Sequence, residues 1–302
     1  MTLVTYSKPP ITFAQQTISL EQKGMLFEDK GAAEAKLASI SYYRLSGYWY
    51  PFRIRNNQNV VTSQFRSGTN FNEVVSLYQF DRKLRSLVFD AIEYFEVAVR
   101  TQFTYQLGHS YGAFAHVNRY NFHPQFEHYK WVKKLKSEVK RSKDDFIRHY
   151  ENKYTDFPIV PIWMLTEVMS LGSLSHGYEG LKNNNREKKH IARYFNLHYK
   201  KLENWLHVLT YIRNTCAHHS RLWNRALAIR PSTAGDARWS SINLPRNDRI
   251  FYILLMLNHL LKATNNADDW SSSIIQLLRP LADKEEWRLA MGIPESWEQY
   301  FL

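Results

Sequence analysis

The chain has 302 residues, an excess of 12 positive charges and 44% hydrophobic residues. This length allows one large domain or two smaller ones, and the apolar content excludes a chain that is disordered throughout. The 11 glycines and 10 prolines are too few for a collagen-like or low-complexity protein. Cys216 is the single cysteine, which excludes an internal disulfide and a cysteine-rich metal cluster.

The composition also bears on location and partners. No apolar run reaches the roughly 18 residues of a membrane span, and the N-terminal stretch lacks the basic-then-apolar pattern of a signal peptide. We therefore expect a cytoplasmic protein in a reducing environment. The positive charge favours a polyanionic partner such as nucleic acid or an anionic membrane surface, although a solubilising surface charge is the alternative.

The first 70 residues combine helical and aromatic segments. Apolar spacing predicts a helix from Thr12 and a second helix over residues 32–43. The aromatic stretch 42–52 follows, and we expect most of its Tyr and Trp side chains to pack in a core. The polar, turn-rich residues 53–70 predict a loop or a short hairpin around Asn56–Asn57.

A long helical pattern begins at Phe71 and extends over more than 30 residues, as one helix or two. Thr69 or Asn70 is the expected N-cap. Glu96 and Arg100 are four residues apart, a spacing that predicts an ion pair on this helix.

A charged helix is predicted over residues 125–153, with an apolar stripe opposite its cations. The cations are either a solvated face or a contact surface for RNA or DNA. The residues singled out for RNA contact here are Lys130, Lys133, Lys134, Lys140 and Arg141. The Lys/Arg/His run at 186–201 is a second such candidate.

The remaining pattern is also helical. A helix that starts near Trp163 is expected to end at Gly172, since glycine commonly follows a helix. Further helices are predicted over residues 200–217, 251–261, 271–278 and 284–290. Helical periodicity almost throughout predicts an all-α, or mostly-α, bundle. The polar stretch at 53–70 suggests a boundary between residues 1–70 and 71–302, although one domain is also possible.

Chemistry-bearing residues concentrate at the end of the predicted helix 200–217. Asn214, His218, His219 and Arg221 cluster within eight residues. Arg213 is adjacent to an apolar position, so its charge needs a partner or a cleft.

Four interpretations of this segment compete. A metal site is weak because His218 and His219 are adjacent and lack the four-residue spacing of paired helical ligands. A Cys–His nucleophile is weak because Cys216 lies on the apolar stripe. RNA cleavage fits the residue types, since His can transfer protons near neutral pH and Arg can hold a phosphate with two donors. The structural alternative is a His/Arg-rich helix terminus.

Geometry limits the RNA-cleavage interpretation. On a straight helix, five steps of about 100° place Arg213 and His218 about 140° apart. They converge only if the helix ends or distorts near Ala217, or if a second copy of the motif completes the site. The second option predicts a dimer with a shared cleft on its two-fold axis.

Residues 213–218, RNTCAH, contain the R-x4-H motif of HEPN-type ribonucleases. Together with SYYRLSGYWYPFR (41–53), FDRKLRSLVFDAIEYFEVAVRTQ (80–102), PIWMLTEVMSLGSLS (161–175) and RNTCAHHSRLWNR (213–225), it resembles the Abi-like (abortive infection, AbiD/AbiF) family. The closing MGIPESW is also similar to the ends of such proteins.

The resemblance implies a HEPN-type helical bundle with additional N-terminal and C-terminal helices. It also implies a toxin-like role in phage defence and RNA cleavage without a metal or other cofactor. By position, Arg213 and His218 would be the catalytic pair, Asn214 would orient one of them, and Arg221 would contact RNA. Glu96 and Arg100 would support the site.

The implied partners are RNA, a bound small non-coding RNA and a second copy of the chain, which would supply a second copy of RNTCAH. A non-catalytic ribonucleoprotein component that holds a structured RNA is the first alternative function. An interaction module that senses a phage protein is the second.

Overall fold

The computed structural model describes residues 5–7, 9–233 and 245–301. Residues 1–4 and 8 belong to the N-terminal stretch used above to argue against a signal peptide, and they lie outside the described residues. The described residues are 65% helical and carry a single two-stranded sheet, which confirms the predicted mostly-α class. It divides into two compact units, Met1–Lys83 and Leu84–Leu302. The domain boundary after residue 70 stays a prediction.

The first unit contains three helices, a hairpin and the start of a fourth helix. Their bounds are α1 Phe13–Glu21, α2 Lys30–Ile40, α3 Tyr42–Trp49, β1 Arg53–Arg55, β2 Val61–Phe65 and the first turns of α4. The strands pair antiparallel, as the predicted hairpin requires. Tyr48 and Trp49 are buried, and the Tyr48 hydroxyl donates to buried Asp81 at 2.6 Å. The packing interpretation is confirmed for both aromatic residues, whereas Tyr43 is 89% exposed.

The predicted helix over 32–43 is wrong at its C-terminal end. Helix α2 ends at Ile40, and Ser41 takes a φ of 75°. The Ser41 hydroxyl then accepts from the backbone N–H of Arg44 and caps α3. A serine that can cap a new helix therefore interrupts a helical pattern that continues in the sequence.

Helix α4, Phe71–Tyr111, is one continuous helix of 41 residues. The Asn70 side chain accepts from the backbone N–H of Asn72 at 2.7 Å, as expected for an N-cap. The predicted ion pair between Glu96 and Arg100 is present.

The second unit continues from α4 with nine further helices among the described residues. They are α5 His128–Arg141, α6 Asp145–Lys153, α7 Ile162–Val168, α8 Leu171–Gly180, α9 Arg186–Tyr194, α10 Tyr199–Ala217, α11 Ile250–Ala263, α12 Asp268–Ala282 and α13 Glu285–Met291. Helix α8 packs against both α5 and α10. Helix α11 is buried on nearly all sides.

Two predicted boundaries in this unit are wrong. The helix predicted over 125–153 is two helices, because the segment Ser142–Asp144 forms a side-chain turn in which Ser142 and Asp144 bond each other. Gly172 does not end a helix but lies in the first turn of α8. Ser170 caps α8 through the backbone N–H of Ser173, and the buried Glu138 carboxylate accepts from both serine hydroxyls.

Glycines in α8 allow α5 to approach closely. A Cβ at Gly177 would overlap the Trp131 indole, and a Cβ at Gly180 would overlap the Phe126 ring. The Trp131 indole N–H donates to the Ser173 carbonyl at 2.9 Å. These contacts fix α5 against α8. Within the described part of the chain, no helix is both long and apolar enough to cross a membrane.

Candidate functional site

Helix α10 positions the R-x4-H residues. Its buried stripe includes Leu202, Trp205, Leu209 and Ile212, so the predicted amphipathic helix is confirmed. Arg213 follows the fully buried Ile212 and is itself only partly buried. The stripe therefore holds the helix against the core while Arg213 lies at the margin of that contact.

The helix ends at Ala217, which meets one of the two conditions for convergence of the motif. The backbone N–H of Ser220 donates to the Thr215 carbonyl at 3.0 Å, and that of His219 donates to the Cys216 carbonyl at 2.9 Å. His219 has a φ of 54°, in the left-handed region. This pair of bonds with a left-handed residue is a Schellman ending. The chain consequently turns away from the helix axis directly after His218.

Arg213 is held by two neighbours that are not acidic. Its guanidinium carbon lies 5.8 Å from the centre of the Phe89 ring on α4, a cation–π contact. Its Nη1 donates to the Asn214 side-chain oxygen at 3.3 Å. Arg213 forms no ion pair with an acidic side chain in the described ranges. Its charge is thus positioned and remains available to an anion.

His218 is exposed. Its imidazole has no hydrogen-bond partner among the described residues, so the structure brings Arg213 and Asn214 together and leaves His218 unbonded to either. An exposed imidazole one residue past the helix end is open to a ligand. Cys216 is buried on the apolar stripe.

Sequence reasoning missed Phe89 as a neighbour of this site. The buried residues around it on α4 are Val88, Ala91 and Ile92, whereas Phe89 is 36% exposed. A large apolar side chain outside the buried stripe of its helix is the signal that could have identified it.

Arg221 lies three residues after His218 and is partly buried. Its carbonyl accepts from Arg225 Nη1 at 3.4 Å, and the Arg225 guanidinium stacks 5.9 Å above the Tyr211 ring. The Arg225 side chain therefore connects the segment after α10 to the helix itself. Contact of Arg221 with RNA stays a prediction.

The predicted RNA-contact residues of α5 share its exposed face. Lys130 pairs with Glu127. The other four have no hydrogen-bond or ion-pair partner among the residues described; they are Lys133, Lys134, Lys140 and Arg141. The eleven steps from Lys130 to Arg141 cover about 16 Å along the helix. The α5 basic face, as we call these five residues, and the end of α10 lie on separate helices that both pack against α8.

Two lysines of the run at 186–201 are buried, whereas Arg186, Arg193 and Lys200 of the same run are exposed. Lys188 is fully buried; its ammonium lies 2.9 Å from a Glu203 carboxylate oxygen and donates to the Glu179 and Leu181 carbonyls. Lys201 is also buried and donates to the Ser232 carbonyl. The expectation of RNA contact is wrong for these two side chains.

Arg100 connects α4 to the end of α7. Its Nη1 donates to the Glu167 carbonyl at 2.8 Å and its Nη2 to the Met169 carbonyl at 2.9 Å, in addition to the ion pair with Glu96. The contacts fix the junction between α7 and α8, and a direct role for Glu96 and Arg100 at the R-x4-H site stays a prediction. No group of three His, Cys, Asp or Glu side chains in the described ranges could hold a metal ion.

A family model described as "Abi-like protein" matches residues 35–224, which is more than half of the 302 residues. The matched range includes α4, α10 and the R-x4-H residues. No curated protein matches the chain, and no solved structure does either.

Proposed function

Since the chain belongs to the Abi-like protein family, we propose that its role in abortive infection, a phage-defence response, is that of a metal-independent endoribonuclease. The observation that carries this proposal is the end of α10. There, Arg213 is a positioned cation with no acidic partner among the described residues, and it lies at the same helix end as the exposed imidazole of His218. Phosphodiester cleavage requires one group that binds the phosphate and one that moves a proton.

In the proposed reaction, Arg213 binds the scissile phosphate and stabilises the negative charge that builds on its oxygens. An imidazole removes the proton of the adjacent ribose 2′-OH, and the 2′-oxygen attacks phosphorus. The bond from phosphorus to the 5′-oxygen breaks, and that oxygen takes up a proton. The products are a 2′,3′-cyclic phosphate and a 5′-OH, and the need for a 2′-OH restricts the substrate to RNA. Asn214 orients the guanidinium.

One imidazole cannot remove a proton and donate another in the same step. The same spacing also occurs at Arg193 and His198, where Arg193 lies on α9 and His198 precedes α10. We assign the reaction to the motif at the end of α10 and place it in a homodimer in which two HEPN-type bundles contribute one such motif each. A strictly monomeric mass at micromolar concentration, together with full activity, would contradict the shared cleft.

Replacement of His218 by Ala tests the catalytic proposal. We expect His218→Ala to reduce RNA cleavage by at least about a hundredfold in buffer containing EDTA, with RNA binding unchanged. His207→Ala is the matched control, because His207 is an exposed histidine on the same helix. Wild-type products should carry 2′,3′-cyclic phosphates. Retained cleavage by His218→Ala would rule out the assigned role.

A second candidate function is the holding of a small non-coding RNA without cleavage. The α5 basic face favours it, since four of its cations have no partner within the described residues. Extraction and sequencing of the nucleic acid that co-purifies with the protein distinguishes the two. A discrete RNA bound by a protein that never cleaves RNA supports the second function, whereas nucleic-acid-free protein that cleaves total RNA supports the first.

A further inference from the structure

A pocket of about 420 Å³ lies between the C-terminal half of α4 and α7. Arg100, Tyr105 and His109 line it from α4, and Trp163 and Glu167 line it from α7. The cleavage reaction proposed above assigns no step to these side chains. The volume is in the range of small-ligand sites, which also place aromatic walls around a few polar groups.

The walls of the pocket are two large aromatic side chains that remain open to solvent. Tyr105 is 57% exposed and Trp163 is 51% exposed. The Tyr105 ring is braced by His109, whose ring centre lies 4.4 Å away. Exposed rings that are held in place at a concave site are suited to stacking on a flat ring, as in the recognition of unpaired RNA bases.

The charged groups in the pocket determine which flat ligands can bind there. Arg100 is neutralised by Glu96 and is engaged with the two carbonyls described above. Its Nε is buried and has no partner in the described part of the chain. The Glu167 carboxylate is exposed and likewise has no partner among the described residues. The pocket therefore presents a free carboxylate, which repels a phosphate and attracts hydrogen-bond donors.

Among the RNA bases, guanine matches this pattern best. Its N1–H and N2 amino group are adjacent donors that can reach both oxygens of one carboxylate, whereas adenine and cytosine offer one amino group beside an acceptor. We propose that this pocket binds an unpaired guanine of an RNA strand, stacked against Trp163 and Tyr105 and hydrogen-bonded to Glu167. The inference rests on the proposed function in one respect, since it takes RNA as the ligand.

The pocket and Arg213 lie along one face of α4. Phe89, which stacks with Arg213, and Arg100, which lines the pocket, are eleven residues apart. On a helix this separation is about 16 Å along the axis and about 20° around it. A few nucleotides of single-stranded RNA span such a distance. A guanine in the pocket would therefore set which phosphodiester reaches Arg213.

A cationic side chain is the main competing occupant, because aromatic rings beside a carboxylate also suit Lys or Arg. The excess of 12 positive charges on this chain opposes a cationic partner and attracts RNA. The observations thus favour the base.

The test uses uridine hexamers with 2′-O-methyl groups, which block attack by the 2′-oxygen and so separate binding from cleavage. One hexamer carries a single central G, and the others carry A, C or U at that position. We expect the G hexamer to bind at least about tenfold more tightly than the others, measured by fluorescence anisotropy at fixed salt. Trp163→Leu or Glu167→Gln should reduce this preference to less than about twofold.

Two controls keep the inference separate from the proposed function. Glu151→Gln removes an exposed carboxylate on α6 and should leave the preference intact, as should His218→Ala. Equal binding of the four hexamers by the wild type, or a preference that survives both pocket substitutions, would overturn the guanine proposal. So would equal hexamer binding together with N-acetylarginine amide binding that Trp163→Leu abolishes. Cleavage by His218→Ala would instead overturn the catalytic role of His218 and leave the guanine pocket in place.

Discussion

The end of α10 and the α5 basic face both present cations to solvent, but the structure treats them differently. Arg213 is constrained by the Phe89 ring and the Asn214 amide. Lys133, Lys134 and their neighbours on α5 have no such contacts within the described residues. A constrained guanidinium acts through its geometry, whereas a row of free cations acts through its number of charges. The comparison separates a candidate reaction centre from a candidate binding surface.

The strongest test of this difference exchanges Arg for Lys in both regions. We expect Arg213→Lys to reduce the cleavage rate of bound RNA by about a hundredfold or more, because an ammonium cannot present two parallel donors to a phosphate. Arg141→Lys is the matched control on α5 and should change neither cleavage nor binding by more than about twofold. Single-turnover cleavage with saturating protein measures the effect, and equal losses in both variants would remove the distinction.

Neutralisation of the α5 cations should have the opposite effect: it should weaken RNA binding and leave the cleavage rate of bound RNA unchanged. With Lys133, Lys134, Lys140 and Arg141 all changed to Gln, RNA affinity should fall by roughly a hundredfold, while the cleavage rate of saturated complex stays the same. The slope of log affinity against log salt should become shallower by about 3, if each cation contacts one phosphate of a single strand. Titrations at several salt concentrations measure the slope. An unchanged slope would mean that these cations are only a solvated face.

Acid pH is expected to lower the stability of the fold. This effect has to be measured separately from any effect of pH on proton transfer by His218. Burial, with a smaller contribution from nearby His128, lowers the pKa of His116 to about 4. The unfolded chain therefore binds this proton near pH 6.5 while the folded chain does not, and stability falls as the pH drops from 6.5 towards 4.

Between pH 6.5 and pH 5, this group alone should reduce the free energy of unfolding by about 2 kcal/mol. Urea unfolding at the two pH values measures the loss, and His116→Leu should show a smaller one. Parallel pH dependences of wild type and variant would contradict the assignment.

The smallest expected effect concerns Phe89. Phe89→Leu removes the ring under the guanidinium of Arg213 but keeps an apolar side chain, so cleavage should slow by about fivefold, the value of a partly exposed cation–π contact. The α5 basic face is unaffected, and RNA affinity should remain constant. Phe146→Leu, on α6, replaces another partly exposed phenylalanine and serves as the control. A loss as large as that of Arg213→Lys would indicate that the ring does more than orient the guanidinium.

The sequence predicted a helix well where a single apolar stripe along that helix packs against the core. Helix α10 and the long helix α4 follow from spacing alone, because their buried residues recur at three and four positions. The breaks at Ser41 and Ser142 were not predictable, since each depends on a side-chain cap that replaces a helical bond only in the folded chain. Gly172 was misread because a glycine that ends a helix and one that lies within it look alike in sequence.

The candidate site was predictable in part. The residues RNTCAH identified the end of α10, and their position at a helix terminus agrees with the structure. The partner of Arg213 could not be found from the motif, because Phe89 lies 124 positions earlier and meets it only through packing. The pocket could not be predicted for the same reason: Tyr105 and Trp163 lie on helices that are separated in the sequence by α5 and α6, and they meet only through packing.

The fit of Trp131 against Gly177 has a consequence for the charges on the other side of α5. The indole is seated where no Cβ can stand and is fixed by its bond to the Ser173 carbonyl. On a helix, Lys133 and Lys140 lie about 200° and 180° around the axis from Trp131. The direction in which these cations point is thus set by an uncharged contact, that of Trp131 with Gly177, on the opposite side of α5. Gly177→Ala would rotate or displace α5 and redirect its electric field without altering a single charge.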